Sequence, residues 1–171
     1  QSRAERVSAN FLSARPVIGR TLVPSGAFAS SASSRTTGLI AINLKDDDQL
    51  IAVRETSGTN NVVIVTKNGK CICFSEEDVR PMGRIAGGVR AIKLEKDDEV
   101  VSMELVEPGQ ELLVVTQKGF GKRTKVEEYK IQVRGGKGVL TYDKAKFKKT
   151  GELVGAMVVD DDDDIMLINS D

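Results

Sequence analysis

The stretch Val62-Val63-Ile64-Val65-Thr66-Lys67-Asn68-Gly69-Lys70 decides the fold, because it joins an apolar run to a turn and to the start of a second run. β-Branched residues in such a run favour a strand. Asn68-Gly69 is a strong hairpin signal, since a type I′ turn needs positive φ at both central positions. The pattern returns 50 residues later, where Leu112-Leu113-Val114-Val115-Thr116 precedes Gly119. The chain therefore repeats a strand–turn–strand unit.

The repeat extends beyond this unit. Two further segments return at the same spacing: Gly38–Leu44 as Gly88–Leu94, and Asp47–Ile51 as Asp97–Val101. A third copy opens at Gly138, slips by three residues across Lys144–Lys149, and resumes at Leu153 and at Ile165–Asn169. Internal repeats of this length are typical of arrays and propellers.

Each copy contains short apolar runs separated by Asp-rich or Gly-containing turns, with single helical turns expected only at Ser75–Val79 and Val126–Tyr129. Four-stranded units at such a period predict an all-β fold, a propeller-like array of blades. A single blade cannot bury both of its faces, so each blade packs against its neighbours. We expect a repeat domain at 35–171 with about three blades, near 35–84, 85–134 and 135–171, the last incomplete.

Composition excludes several classes of function. Histidine is absent from the 171 residues, which removes Ser-His-Asp and Cys-His catalysis and disfavours most zinc sites. We therefore expect no catalytic or metal site in this chain. Cys71 and Cys73, two apart in an apolar run, are predicted to pack on one face of a strand in a reducing compartment. No run reaches the roughly 18 apolar residues of a membrane span, so no membrane partner is expected.

Charge is segregated along the chain although its net value is zero. Residues 118–149 carry eleven cations against three acids, a net of +8, whereas residues 150–171 carry seven acids and no cation. A segregated field still gives an anion-binding face on a neutral chain. The acidic run Asp160–Asp164 replaces a loop of the earlier copies, so we predict a solvated loop there, with calcium binding as the alternative.

The first 34 residues differ from the rest, with four arginines, no lysine, one acid and many Ser and Ala residues. We interpret residues 1–34 as an N-terminal arm or linker. An organelle transit peptide and a stretch joined across a missing region are alternatives of equal weight. Val7 and Phe11 lie at i, i+4 spacing, which predicts a short helix over Arg3–Ser13.

Cations recur after the hairpin turns and at the joints between copies, of which the first begins at Arg35, the second at Arg80 and the third at Lys130. Matching positions carry Arg80 and Lys130, Arg84 and Arg134, and, after the turns, Lys67 and Lys70 with Lys118, Lys122 and Arg123. Equivalent positions of a circular array lie on one rim, where such a band would bind duplex DNA without base specificity and with strong salt dependence. A sufficiently wide band would bend the duplex. A merely solvated cationic rim is the alternative.

Four stretches carry a family resemblance: Arg35–Gly38 followed by Ala41–Leu44, Asp78–Arg84, Gly119–Thr124, and Arg134–Gly138. In this order they closely resemble the C-terminal domain of the DNA gyrase A protein, over about Arg35 to Asp171. The resemblance implies a β-pinwheel, a disc of blades that exchange strands and wrap double-stranded DNA around a basic rim. By resemblance the DNA contacts fall on Arg35, Lys67, Lys70, Arg80, Arg84, Lys122, Arg123, Arg134 and Lys137.

The resemblance also implies the partners. This domain would not be an enzyme by itself but part of an ATP-dependent type II topoisomerase, which introduces negative supercoils in the bacterial cytoplasm, at the nucleoid. Its catalytic tyrosine, its ATPase and the ATP and Mg cofactors lie in the rest of the gyrase A protein and in the gyrase B protein. Neither Tyr129 nor Tyr142 matches the context of that tyrosine, and no cofactor is expected in this chain.

Two departures from the family pattern restrict the inference. The family's gyrase box is a Gln, two cations, two glycines, a cation and a glycine, and Val133 replaces the first of those cations in Gln132–Gly138. The family disc has six blades, of which about three are expected here. The corresponding C-terminal domain of topoisomerase IV and a propeller-like protein-interaction module remain alternatives. Half a disc leaves strand edges unpaired, so we expect the fragment to self-associate through them.

Overall fold

A computed structural model describes residues 6–13, 17–24, 42–44, 48–82 and 86–168. Within these residues the regular secondary structure is mostly β-strand, with short helical turns at Glu76–Asp78, Val126–Glu128, Lys144–Lys146 and Phe147–Thr150. The strands are β1 (Arg6–Ser13), β2 (Val17–Pro24), β3 (Leu50–Thr56), β4 (Asn61–Thr66), β5 (Lys70–Ser75), β6 (Val89–Arg90), β7 (Val100–Val106), β8 (Glu111–Thr116), β9 (Gly121–Lys125), β10 (Val139–Leu140) and β11 (Leu153–Val159).

The strands form three antiparallel sheets, ordered β3-β1-β2-β6, β7-β4-β5-β10 and β11-β8-β9. One strand from each sheet lies at the hub, where β7 contacts both neighbours: Arg54 of β3 pairs with Glu104 at 2.9 Å, and Ser102 donates to the Ala156 carbonyl at 2.8 Å. A hairpin follows outward in each sheet. The outermost strand of each of the first two sheets, β6 or β10, comes from the copy that follows the one supplying the hub strand, as in a pinwheel. The predicted all-β array of about three blades is confirmed.

A shared irregularity shows that the three sheets are copies of one unit. The hub strand of every sheet bulges at the same place, after its first residue, so that Ile51, Val101 and Val154 are skipped in the pairing. These positions are 50 and 53 residues apart, which matches the predicted repeat and its three-residue slip.

The middle sheet is buried on both faces. Ile64 and Phe74 face one apolar cluster, whereas Val63 and Cys73, one residue along, face another. Side chains alternate between the faces of a sheet, which explains why β4 is a continuous apolar run. Complete burial of each such side chain contributes about 1.5–3 kcal/mol. Cys71 and Cys73 are free and buried, as predicted for packing residues.

The hairpin prediction is confirmed, but the turn type is wrong. Gly69 takes a φ of 84° and its N–H donates to the Thr66 carbonyl at 3.0 Å, while Asn68 does not take positive φ. The loop is therefore a type I turn closed by a left-handed glycine. The N–H groups of Lys67 and Asn68 donate to the Glu99 carbonyl and the Asp98 carboxylate at 2.9 Å each, which fixes this conformation.

The predicted helix over Arg3–Ser13 is wrong, because Arg6–Ser13 is strand β1. It pairs with β2 on one side and with β3 on the other. The described part of residues 1–34 therefore belongs to the first sheet rather than to an arm or linker. Pairing with β3, distant in sequence, outweighs the local i, i+4 pattern.

Two smaller expectations have opposite outcomes. Single 3₁₀ turns at Glu76–Asp78 and Val126–Glu128 confirm the two predicted helical turns. The expectation of helical turns only there is wrong, because Lys144–Lys146 and Phe147–Thr150 form two more. Ile165–Ile168 continue the repeat in sequence, yet they form no strand and lie exposed. The acidic run Asp160–Asp164 is exposed, as predicted for a solvated loop.

Gly69 and Gly119 offer a matched test of the packing between copies. Both close equivalent hairpins at positive φ, but a Cβ on Gly69 would overlap the Tyr142 carbonyl oxygen, whereas one on Gly119 would meet nothing within 4 Å. We expect Gly119→Ala to lower the free energy of unfolding by about 1–2 kcal/mol, the cost of a left-handed residue with a side chain. Gly69→Ala should lower it by more, as measured by urea denaturation. Equal losses would contradict this packing.

Candidate nucleic-acid interface

Backbone hydrogen bonds place the joints between copies side by side. The Asn43 N–H donates to the Ala86 carbonyl at 3.1 Å, and the Lys93 N–H donates to the Gly136 carbonyl at 2.8 Å. These two bonds join equivalent residues, 50 positions apart in sequence. The first joint therefore contacts the second as the second contacts the third, and equivalent positions form one band.

Arg134 connects the second and third joints. Its guanidinium donates to the Asp78 carbonyl at 2.9 Å through Nε and to the Arg90 carbonyl at 3.0 Å through Nη1. These bonds bring the third joint against the segment that carries Arg80 and against strand β6 on the sheet perimeter. We call the resulting group the joint cluster, which comprises Arg80, Arg90, Lys93, Arg134 and Lys137.

Most of the joint cluster is not neutralised by the protein. Arg80, Arg90, Lys93 and Lys137 are exposed. Across residues 48–82 and 86–168, none of these four side chains forms an ion pair or hydrogen bond. Unpaired arginine and lysine groups on an exposed band are suited to phosphate oxygens.

The predicted contacts after the hairpin turns have a different environment. Lys67 pairs with Glu99 at 3.1 Å and with Glu152 at 3.4 Å, and Glu99 is the main cause of the raised pKa of Lys67. Lys70 pairs with Glu95. The acids come from later copies of the repeat. Glu95 and Glu99 precede β7 of the same sheet, whereas Glu152 precedes β11, so the Lys67–Glu152 pair joins neighbouring sheets.

Two further predicted contacts on β9 also have partners within the protein. Arg123 pairs with Glu111 and, at 2.9 Å, with Asp161, and both raise its pKa, Asp161 most strongly. Lys122 donates to the Thr141 carbonyl at 3.0 Å. A phosphate would have to compete with these partners, so the residues after the turns form a weaker anion site than the joint cluster.

Glu95 lies between two lysines, Lys70 and Lys144, with Lys144 at 2.6 Å. Hydrogen bonds from Lys144 first and Lys70 second hold the pKa of Glu95 at about 2, well below its ordinary value of 4.5. One carboxylate therefore joins β5, which carries Lys70, to the 3₁₀ turn at Lys144–Lys146 that follows β10.

The remaining predicted contacts, Arg35 and Arg84, lie outside the described residues. Sequence reasoning did not select Arg90 and Lys93 as contacts, although they lie on the second joint and the repeat register marked that joint. The lysines of Lys144–Lys149 were also not predicted as DNA contacts, because the repeat slips by three residues across this segment.

The described residues contain no group of three His, Cys, Asp or Glu side chains that could hold a metal ion. Tyr129 and Tyr142 are buried, and the Tyr129 hydroxyl hydrogen-bonds to Thr141 at 2.5 Å. No helix in this part of the chain is long and apolar enough to cross a membrane. The joint cluster is the exposed feature with the clearest chemistry.

A family model described as the DNA gyrase C-terminal domain, beta-propeller, matches residues 30–57, 60–107 and 110–160. The chain belongs to the DNA gyrase C-terminal domain family. This confirms the resemblance seen in the sequence, including the expected blade-like fold of the gyrase domain.

Related proteins agree with this family. The DNA gyrase A protein of Mycolicibacterium smegmatis is 43% identical over 142 residues, which cover 81% of this chain and 16% of that protein. The DNA gyrase A protein of Salmonella typhimurium is 46% identical over 134 residues, or 78% of this chain and 15% of that protein. The chain thus spans about one sixth of the length of these relatives.

Two solved structures share the fold. The C-terminal domain of DNA topoisomerase IV superimposes with a TM-score of 0.78 at 30% identity, covering 91% of this chain and 47% of that one. A DNA gyrase A C-terminal domain superimposes with a TM-score of 0.79 at 27% identity, covering 92% and 50%.

The Glu95 bridge predicts a specific dependence on pH. A carboxylate whose pKa is depressed in the folded state adds stability above its unfolded pKa, and that stability is lost as pH falls through the folded value. We therefore expect Glu95 to lose its stabilising effect between pH 4.5 and about 2. A carboxyl titration by NMR should show the low pKa, and Lys144→Gln should raise it. An ordinary pKa in the unmodified chain would contradict the bridge.

Proposed function

We propose that this chain binds and wraps duplex DNA without base specificity, as the C-terminal domain of a DNA gyrase A protein. The joint cluster is the observation that carries the proposal, because it places unpaired cations on one perimeter band. Such a band matches a phosphate backbone, and contacts to phosphate carry no sequence information. Backbone contacts along a curved protein surface bend the duplex around it.

In this proposal the chain performs no chemistry of its own. The rest of the gyrase A protein, together with the gyrase B protein, would supply the catalytic tyrosine, the ATPase, and the ATP and Mg cofactors. Wrapping would present a DNA segment of defined path to that machinery, which then introduces negative supercoils. The setting is the bacterial cytoplasm, at the nucleoid.

A place in topoisomerase IV is the second candidate, and the 30% identity to that enzyme's C-terminal domain favours it. The stretch Gln132–Gly138 does not distinguish the gyrase and topoisomerase IV candidates, because Val133 replaces the first cation of the gyrase box. The gyrase assignment rests on the family model and on the gyrase A relatives. Supercoiling by the complete enzyme, as opposed to relaxation alone, decides between them.

Removing single unpaired cations from the joint cluster tests the proposal. Each phosphate contact contributes about 0.9 to the slope of log K against log salt concentration. We therefore expect Arg80→Gln and Lys137→Gln each to lower that slope by about 0.9, as measured by duplex gel shift over a salt series. Arg134 is a poorer choice, since its bonds to two carbonyls hold the joints together.

Lys125→Gln is the matched control, because it removes the same charge. Lys125 lines a surface cleft with acids: Glu111, Glu127, Asp160 and Asp161. The slope of log K against log salt concentration for Lys125→Gln should equal that of the unmodified chain. Absence of duplex binding at low salt would overturn the proposal and leave the interaction-module alternative.

Strand β9 supports the expectation of self-association. Within the described residues no strand pairs with its second edge, whereas the equivalent strands β2 and β5 pair with β6 and β10. Sedimentation velocity should show association that increases with concentration. A monomer throughout the concentration range would remove this partner from the proposal.

A further inference from the structure

The segment Lys144–Lys149, hereafter the lysine segment, is held in a fixed conformation. Its first residues form a 3₁₀ turn whose Ala145 N–H donates to the Asp143 carboxylate at 2.9 Å, and a helical turn follows at Phe147–Thr150. The ring of Phe147 stacks on Tyr142 with centroids 6.0 Å apart. The aromatic contact anchors the segment to the core, so its lysines project from a supported surface.

This surface fills the space between two hairpin turns of neighbouring sheets. Before the segment, the N–H groups of Thr141 and Tyr142 donate to the Gly69 carbonyl at 2.9 and 3.2 Å. After it, the Thr150 carbonyl accepts from the Lys118 N–H at 3.1 Å. The lysine segment therefore lies at the edge where the β4–β5 and β8–β9 turns meet.

The sign of the charge at this edge changes in the third copy. The equivalent segment of the first copy, residues 43–50, holds one cation and three acids, and that of the second, residues 93–100, holds two cations and four acids. Both have a net charge of −2. Residues 143–153 hold four cations and two acids, a net of +2. Acids of the second copy neutralise the turn lysines Lys67 and Lys70. The third copy has two acids where the second has four.

The cations of the lysine segment lie close to one another. Lys118 Nζ donates to the Lys148 carbonyl at 3.3 Å, and Lys149 Nζ lies 5.6 Å from the centre of the Phe120 ring. The Lys118 side chain thus reaches from the β8–β9 turn to the lysine segment, and the Lys149 side chain reaches from the segment to Phe120 beside that turn. Lys146 and Lys148 are exposed, and within the described residues their side chains form no ion pair. Grouped like charges repel one another, and an external anion removes that cost.

Nearby acids are already occupied. Asp143 accepts from the Ala145 N–H, Glu152 pairs with Lys67, and Glu95 is shared by Lys70 and Lys144. The uncompensated charge therefore has no partner in the surrounding described structure. Because the lysines project outward from a turn edge, they fit an extended polyanion better than a small anion.

We propose that the lysine segment is a second phosphate-binding surface for duplex DNA, separate from the joint cluster. The inference rests on the proposed function and adds a contact at the turn edge of the third sheet. In this proposal Lys146 and Lys148 contact the phosphate backbone of the DNA, and Lys118 and Lys149 lie beside them. DNA that leaves the joint band at β10 would meet this surface next, since Thr141 follows β10 directly.

The test compares the salt dependence of duplex binding among variants of the chain. Lys146→Gln/Lys148→Gln should lower the slope of log K against log salt by about 1.8, two contacts of about 0.9 each. Both residues are exposed, and thermal unfolding of the variant should match that of the unmodified chain. Lys125→Gln serves as the control and should leave the slope unchanged.

The outcomes separate this inference from the proposed function. If Arg80→Gln lowers the slope and Lys146→Gln/Lys148→Gln does not, the lysine segment is not a DNA contact and the proposed function stands. If Lys125→Gln lowers the slope as much per charge, the effect is one of net charge and the inference is wrong. If the unmodified chain binds no duplex at low salt, both proposals fail.

Discussion

The structure depends on the crossing by which one copy of the repeat supplies the outer strand of the preceding sheet. Gly88 and Gly138 occupy equivalent places in this crossing, with φ of 73° and 68°. A Cβ on Gly138 would lie 2.5 Å from the Cys71 carbonyl oxygen, so close approach and backbone conformation both require glycine. Because the crossing runs along the sheet perimeter, it sets the joints beside one another, and their cations follow the same path.

The cations of the chain fall into two classes according to what the repeat places opposite them. Lys67 and Lys70, at the β4–β5 turn, pair with acids from later copies of the repeat. Cations of the joint cluster, and Lys146, Lys148 and Lys149 of the lysine segment, face no such acids in the described structure. Surface ion pairs contribute little to stability, whereas unpaired cations arranged along one perimeter contribute directly to attraction of a polyanion. The proposed DNA contacts are therefore defined by missing partners as much as by positive charge.

Much of the fold could be predicted from the sequence, because the 50-residue repeat marks the equivalent hairpins, hub strands and joints of each copy. The β1–β2 hairpin could not, since it lacks an Asn-Gly turn and is fixed by pairing with β3, some 40 residues later in the chain. The site was predicted in part. Arg80 and Lys137 emerged from the joint register, but the partners of Lys67, Lys70 and Arg123 come from distant segments that only the folded chain brings near.

We propose that the joints, and not the hub or the acidic loop, meet the DNA. Amide hydrogen exchange of the chain with and without a long duplex locates protection by segment. We expect added protection in residues 86–94 and 130–140, with little change in the hub strand β7. Protection confined to residues outside the joints, or none in these two segments at low salt, would contradict it.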